Sequence, residues 1–314
     1  MLDIMATIIK ILLSFSLLLG LSACQKDNTV DTTIDQDTYR RLELDGVKYK
    51  FNSHLVSFLI IGTDTDDENV GHSDFMGLLI FDRENKEVDF LSLSRNAYVP
   101  IKTYDANGQF LDWSSNFLTL SYSYGDDAKS ASYLTADAVS RLLNDIPMTY
   151  VASFDLDGIQ AVHEVVETLT VTVPDNSLEF KYPQWTEGKE IELTVDNVEE
   201  FVRIRDVSED FTNVNRMARQ KTYLLAYVNK LKEILASDFN GAAGKLEGVL
   251  AESFTNFDLS EVDAFANMLM TYQWDENSFY ELPGVEEKGM FHDKFIVDED
   301  ALLRLIADLF YIEK

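Results

Sequence analysis

Past Cys24 the chain contains no cysteine, which excludes a disulfide, a thiolate metal site and a cysteine nucleophile from everything downstream. Stability there has to come from packing. Proline and glycine are sparse, 5 and 14 of 314 residues, so neither a collagen-like nor a low-complexity chain is written here. Positive charge is short as well: 26 Lys plus Arg face 55 Asp plus Glu, for a net charge of −29. A surface of that sign repels phosphodiester backbones, which excludes a general nucleic-acid binder. The longest apolar run, Ile11 to Leu21, is interrupted by Ser14, Ser16 and Gly20 and falls short of the roughly 20 residues that a spanning helix needs. What is present is ample core material, 46% hydrophobic and 12% aromatic residues, so a packed globular body is expected.

The N-terminus reads as a targeting segment. Lys10 precedes the apolar run, which ends in Leu21-Ser22-Ala23-Cys24, a small-residue cleavage site of the bacterial lipobox pattern. Residues 1–23 are therefore expected to be a lipoprotein signal peptide, with translation starting at Met1 or, since Asp3 sits awkwardly beside the positive region, at Met5. Cys24 is the expected lipidation site, holding the chain by acyl groups on the outer face of the bacterial cytoplasmic membrane. The alternative is a short transmembrane anchor. Residues 24–48 are polar and without helical period, and are read as a spacer. Residues 49–314, near the upper size of one core, are read as a single domain.

Phe58 to Gly62, Phe75 to Phe81 and Val88 to Leu93 are short apolar runs expected to form three adjacent strands, the last two a hairpin around Asp82 to Lys86. Ser130 to Asn144 carries a helical apolar stripe and ends before Pro147. Tyr150 to Phe154 reads as a strand, Leu156 to Leu169 as a helix capped by Asp155 or Asp157, and Val171 to Pro174 as a further strand. Val202-Arg203-Ile204-Arg205 reads as extended, followed by a long helix from about Val214 to Leu235 and two more over Leu259 to Tyr272 and Asp298 to Phe310. The alternation predicts an α/β fold: a central, mostly buried mixed sheet with helices on both faces, a three-layer α/β/α arrangement.

Against the acidic background, Arg203, Arg205, Arg216 and Arg219 stand out, four arginines within 17 residues. Arg216 and Gln220 are i and i+4 near a helix start, with Arg219 beside them. Either these guanidinium groups make surface salt bridges, or they converge on a phosphate or pyrophosphate. Asp64 and Asp66 follow the first strand and Asp74 begins the second, where ligands of α/β sheets commonly sit. Paired carboxylates beside a phosphate suit Mg²⁺, with Mn²⁺ as the alternative hard ion. Arg95 ends the third strand, and His72 lies near the same edge, whereas His54, His163 and His292 read as surface or packing residues.

In order, Phe58 to Asp64, His72-Ser73-Asp74, Leu91 to Asn96, Ser121 to Gly125, Phe154 to Gly158, Val202 to Asp210 and Arg216 to Gln220 resemble the LytR-CpsA-Psr family. That resemblance implies a hydrophobic tunnel for a polyprenyl chain. It also implies transfer of a phosphate-linked glycopolymer, a teichoic acid, capsule or similar, from a polyprenyl pyrophosphate carrier to peptidoglycan. It puts Asp64 and Asp74 on Mg²⁺, and Arg95, Arg203, Arg205, Arg216 and Gln220 around the pyrophosphate; His72 and Arg219 are expected as further pyrophosphate contacts beside them, and Asp64, Asp74 and Arg95 as the catalytic residues. The chain departs from the family pattern at His72, usually Arg, at Ser94, usually Pro, at Asn96, usually Asp, and at Thr168-Leu169, usually Gly-Gly. The family's usual anchor is a transmembrane helix. A pyrophosphatase acting on the carrier, a lipoprotein that binds polyprenyl phosphate or wall polymer without turnover, and an extracellular solute binder are the competing readings.

Overall fold

The computed structural model describes residues 40–64, 71–105, 107–206, 208–209, 212–289 and 292–314. The expected signal peptide, Cys24, most of the spacer and Asp66 lie outside them. The described chain opens with a hairpin of β1 (Arg41–Leu44) and β2 (Val47–Phe51), turned at Asp45 and Gly46, both at positive φ. This hairpin crosses the expected boundary at 49: residues 41–48 alternate apolar and polar at the period of a strand, and β2 pairs with the strand Tyr311–Glu313.

Three long strands follow, β3 (Leu55–Thr63), β4 (Ser73–Asp82) and β5 (Glu87–Leu93), neighbours as the sequence predicts and both pairs antiparallel. Their side chains alternate between two cores. Phe58, Leu79, Phe81 and Phe90 enter one, and Leu59, Ile61, Leu78, Ile80 and Leu91 enter the other, which is why these runs are continuously apolar rather than alternating. At Gly77 an added Cβ would lie 2.0 Å from the Phe90 ring, so this strand position has to be glycine. β6 (Tyr98–Tyr104) and β7 (Phe110–Phe117) form a hairpin outside this sheet, which the sequence reading did not anticipate. Helix α1 (Ala128–Leu142) starts on a capping box in which Asp127 accepts the Ser130 N–H, and ends in Asn144 and Asp145 at positive φ rather than at Pro147.

β8 (Tyr150–Phe154) runs parallel to β3. Asp155 caps α2 (Leu156–Glu164), which stops five residues short of the expected Leu169: Glu167 turns at φ 64°, and Leu169 already belongs to β9 (Leu169–Thr172), paired with β10 (Glu190–Leu193). The Val202-Arg203-Ile204-Arg205 segment is not a strand. Val198–Arg203 forms a short helix, α3, whose Glu199 and Glu200 favour the positive end of the helix dipole and whose Phe201 and Val202 are buried. Only at Ile204 does the backbone become extended, φ −64° and ψ 141°. Long helix α4 (Thr212–Ser237) follows, then α5 (Phe239–Ala251), β11 (Phe254–Thr255), α6 (Val262–Thr271), β12 (Phe279–Glu281), the hairpin β13 (Gly284–Glu287) and β14 (Lys294–Val297), α7 (Glu299–Phe310) and β15 (Tyr311–Glu313).

The central sheet has the order β11-β8-β3-β4-β5-β12 and is mixed, with β3/β8 and β5/β12 parallel and the other pairs antiparallel. Residues of α4, α5 and α6 pack into one core and those of α1 and α7 into the other, so the three-layer α/β expectation is met. Among the described residues no helix is long and apolar enough to cross a membrane.

Candidate active site

Between the β3/β4 face and α2, α4, α5 and α6 lies a cavity of about 230 Å³. Phe58, Ile60 and Phe75 line it from the sheet, Tyr223 and Leu231 from α4, and Phe265 from α6. Two tyrosines in this wall spend their hydroxyls elsewhere: Tyr227 Oη donates to the Val162 carbonyl at 2.9 Å, and Tyr223 Oη pairs with His163 Nδ1 at 3.3 Å. Burial raises both phenols and lowers the His163 imidazole, so all three remain neutral at pH 7. His163 is thus a packing residue, as expected, while His54 stands exposed 3.6 Å from Glu84 and His292 lies against the Phe117 ring.

At one end the cavity wall becomes polar, with Asp74, Arg203, Arg216 and Gln220. Asp74, Arg203 and Arg216 also line a second pocket of about 420 Å³, together with Arg95, Arg205, Lys181, Glu199 and Glu200. The two spaces therefore share a wall of three charged side chains. Asp74 is placed there as the second residue of β4, and Arg95 two residues beyond the end of β5. One Asp74 oxygen pairs with Arg95 Nη1 and the other lies 3.8 Å from Arg216 Nη1. Arg203 pairs with Glu199 one turn back on α3, and Arg205 Nη1 donates to Thr212 Oγ1 at 3.4 Å. Gln220 donates to the Val202 carbonyl at 3.1 Å.

Arg216 is the centre of this group. Its side chain is 4% exposed, its Nη2 donates to Asn213 Oδ1 at 2.6 Å, and its guanidinium is pushed down to about 9 by burial and by Arg95, Arg205 and Arg219, against the pull of Asp74. Among the described residues the buried Nε atoms of Arg95 and Arg216 have no hydrogen-bond partner. Each such orphaned donor costs about 1–3 kcal/mol, and native proteins carry few without reason. Buried, mutually repelling guanidinium groups with open donors form a site that an anion would satisfy.

Arg219 does not belong to that group. It is fully buried, with Nε donating to the Phe201 carbonyl at 2.8 Å, Nη2 to the Ile204 carbonyl and Nη1 to Ser177 Oγ, and Asp175 3.9 Å away. Its donors are spent on fastening α3 to α4, and it lines neither pocket. Asp64 and His72 form a pair of their own. The His72 N–H donates to Asp64 Oδ1, His72 Nδ1 lies 3.7 Å from the same oxygen, and the Asp64 N–H returns a bond to the His72 carbonyl at 3.2 Å. This pair sits at the end of β3 beside the start of β4, on the edge that carries Asp74. Among the described residues no three His, Cys, Asp or Glu side chains gather as a metal would require.

Two residues beside Arg216 escaped the sequence reading. Asn213 is buried, donating to Ser94 Oγ and to Glu286 Oε1, each at 3.3 Å. Glu286 arrives on β13, 70 residues beyond Arg216 in the chain, where no local spacing links the two.

The LytR_cpsA_psr family matches residues 19–309. A polyisoprenyl-teichoic acid–peptidoglycan teichoic acid transferase, TagU of Bacillus cereus, is 27% identical over 181 residues, 57% of this chain and 53% of its own length. The chain thus matches about half the length of that relative. Among solved structures, TagV of B. subtilis is similar with a TM-score of 0.62 at 20% identity, covering 82% of this chain and 97% of that one. TagT bound to LI-WTA is similar at 0.60 and 20% identity, over 87% and 96%. A Streptococcus agalactiae protein reaches 0.63 at 19% identity, over 82% and 91%. These three show the likeness of fold.

Proposed function

The chain belongs to the LytR_cpsA_psr family, and we propose on that footing that it transfers a phosphate-linked glycopolymer from a polyprenyl pyrophosphate carrier to peptidoglycan. The observation that carries this reading is the shared wall of the two pockets. A polyprenyl pyrophosphate is an apolar chain ending in a polyanion. An apolar cavity that opens, across Asp74, Arg203 and Arg216, into a pocket of guanidinium groups has the same sequence of chemistries.

On this reading the chain burial and the phosphate binding are separate tasks. The cavity walls take the isoprenoid, and the open donors of Arg95 and Arg216, with Arg203 and Arg205, take the phosphate oxygens. Asp74 keeps Arg95 and Arg216 apart and oriented. In the transfer the acceptor hydroxyl oxygen bonds to the phosphorus that carries the polymer, the bond from that phosphorus to the bridging oxygen breaks, polyprenyl phosphate leaves, and the hydroxyl proton passes to the departing phosphate oxygen or to water. Charge spread over the phosphate oxygens is met by guanidinium groups already in place, which is where most of the catalysis of phosphoryl transfer lies.

Asp64 and Asp74 would hold the Mg²⁺, or Mn²⁺, of such a reaction. They occupy neighbouring strand ends, and among the described residues Asp64 engages His72 through Oδ1 alone. A hard ion takes one or two carboxylates and completes its shell with phosphate oxygens and water, consistent with a pair rather than a cluster of acids. When bound, it supplies neutralisation of phosphate charge. Lipidation of Cys24 on the outer membrane face belongs to the same proposal, and an unmodified Cys24 thiol in the mature membrane-bound chain, by mass spectrometry, would refute it.

The test of the function is analysis of lipid carried by the purified chain, followed by turnover. Polyprenyl phosphates in the extract, and polymer transfer with Mg²⁺ that Asp74→Ala abolishes, are expected. A soluble small ligand alone, or transfer undiminished in Asp74→Ala under chelator, would overturn it. Release of inorganic phosphate products with no polymer on the acceptor would replace transfer by hydrolysis.

A further inference from the structure

Glu286 is an acidic side chain that nothing in the proposed transfer uses, yet it is tied to the residue at the centre of the site. The β13–β14 hairpin brings it there. Glu286 stands opposite Phe295 in the hairpin register, and Phe295 is bridged to the start of β6: its N–H donates to the Asn96 carbonyl at 2.9 Å. The hairpin is thereby fixed over Ser94, Arg95 and Asn96. From that position Glu286 Oε1 accepts from Asn213 Nδ2 at 3.3 Å, and Asn213 Oδ1 accepts from Arg216 Nη2 at 2.6 Å.

An asparagine amide has two faces, one donating and one accepting, and a guanidinium, which only donates, can bond only to the accepting one. The donating face has to be met at the far end. The Glu286 carboxylate only accepts and so holds the NH₂ side there, with the Ser94 hydroxyl oxygen as a second acceptor, and this keeps the amide oxygen on Arg216. Were the amide reversed, NH₂ would face a cation and the oxygen would face a carboxylate, two repulsive contacts in place of two bonds. We infer that Glu286 is a positioning residue for this site, setting the Asn213 amide and through it the direction of the Arg216 guanidinium.

Other features of the carboxyl fit the role. Among the described residues its Oε2 is buried without a partner, so the group is retained at a cost. Burial pushes it above the ordinary carboxylate range, Asp293 adds to this, and the Asn213 and Asn96 side chains and Arg216 oppose it. A residue serving the hairpin's own stability would gain nothing from this surrounding. The carboxyl from β13 also meets the Asn96 side-chain amide. Negative charge at this corner is delivered from another strand.

The inference rests on Arg216 being a pyrophosphate ligand, and the experiment separates the two. The dissociation constant of farnesyl pyrophosphate is measured with Mg²⁺ for the full chain in detergent, for Glu286→Ala, Glu286→Gln and Arg216→Ala, and for the Glu286→Ala/Arg216→Ala double variant. Loss of an orienting hydrogen bond should weaken binding about fivefold in Glu286→Ala. Glu286→Gln should recover part of that, since its amide oxygen can still accept from Asn213. In the Arg216→Ala background, Glu286→Ala should cost nothing more, because residues acting through one another are not additive. Independent, additive losses would overturn the inference, as would a Glu286→Gln variant no better than Glu286→Ala. If Glu286→Ala binds normally while Arg216→Ala does not, Glu286 alone is misassigned. If Arg216→Ala also binds normally, the pyrophosphate assignment falls with it. Should Glu286→Ala not fold, Asn213→Ala takes its place in the cycle with the same expected non-additivity.

Discussion

Arg216 and Arg219 stand three residues apart on α4, both withdrawn from solvent, and they illustrate two opposite ways to bury a guanidinium. Around Arg219 every donor nitrogen has found an oxygen, two of them backbone carbonyls of the α3 segment. Around Arg216 one nitrogen donates to Asn213 Oδ1, and the other surroundings are cations, one distant carboxylate oxygen and an orphaned Nε. A satisfied buried charge fixes structure, and an unsatisfied one waits for a ligand. The distinction is invisible in residue type and spacing, which are the same for both.

The comparison breaks most openly at Arg219. Removing it leaves the Phe201 and Ile204 carbonyls without their donor and Asp175 without its cation, so Arg219→Ala should lose roughly 3–5 kcal/mol of stability, seen as a lower urea midpoint. Its carrier binding, measured where it is still folded, should fall much less than that of Arg216→Ala. A variant that melts normally and fails to bind would move Arg219 into the site.

Arg216→Ala is the mirror experiment. Binding of a polyprenyl pyrophosphate should weaken about tenfold or more, the worth of one or two charge-assisted hydrogen bonds of about 1.5–3 kcal/mol. Arg216→Lys should regain only part, since a point charge lacks the planar fork. Stability should move the other way. The folded-state value of about 9 lies below the ordinary 12.5, so the charged form is disfavoured by folding at every pH below about 9, and the chain gains stability as pH rises through that value. Arg216→Met should therefore melt no lower than the parent at pH 7, and higher in the absence of ligand. Melting several degrees lower would make Arg216 another Arg219. Arg203→Ala, whose guanidinium is half-buried and held by Glu199, should lose binding less steeply, with Arg304→Ala, exposed beside Asp45, as the unaffected control.

The sheet was legible in the sequence because both faces of β3, β4 and β5 are buried, and double burial writes itself as unbroken apolar runs. The arginine cluster was legible for the opposite reason, as an excess of one charge against a background of the other. What could not be read was the state of Val202 to Arg205. β-branched residues there suggested a strand, but packing of Phe201 and Val202 into the core under an acidic helix start prevailed over propensity. The separation of Arg219 from Arg216 depended on that helix, because it turns the Phe201 and Ile204 carbonyls toward Arg219. Glu286 stayed hidden since its link to Arg216 passes through Asn213 and a hairpin far along the chain. Contacts of that range leave no periodic trace.

Orphaned charge is not by itself a sign of a ligand, and Asp89 on β5 supplies the control. Its carboxyl is raised to about 6, by burial and then by Glu87, Asp82 and Asp275, but it lines neither the apolar cavity nor the arginine pocket. Here the folded-state value lies above the ordinary 3.8, so its contribution to stability is whole below about pH 4 and is lost as pH rises through about 6. Asp89→Asn should therefore stabilise the chain at pH 7–8, by about 1 kcal/mol once solvent screening of a partly exposed group is allowed for, equal to a rise in melting temperature of roughly 2–4 °C. At pH 4 the variant and parent should coincide. Binding of the carrier should not change at either pH. If Asp89→Asn strengthened binding as much as Arg216→Ala weakens it, the effect of both would be on the field of the whole acidic body rather than on a site, and the contrast between the two arginines would lose its meaning.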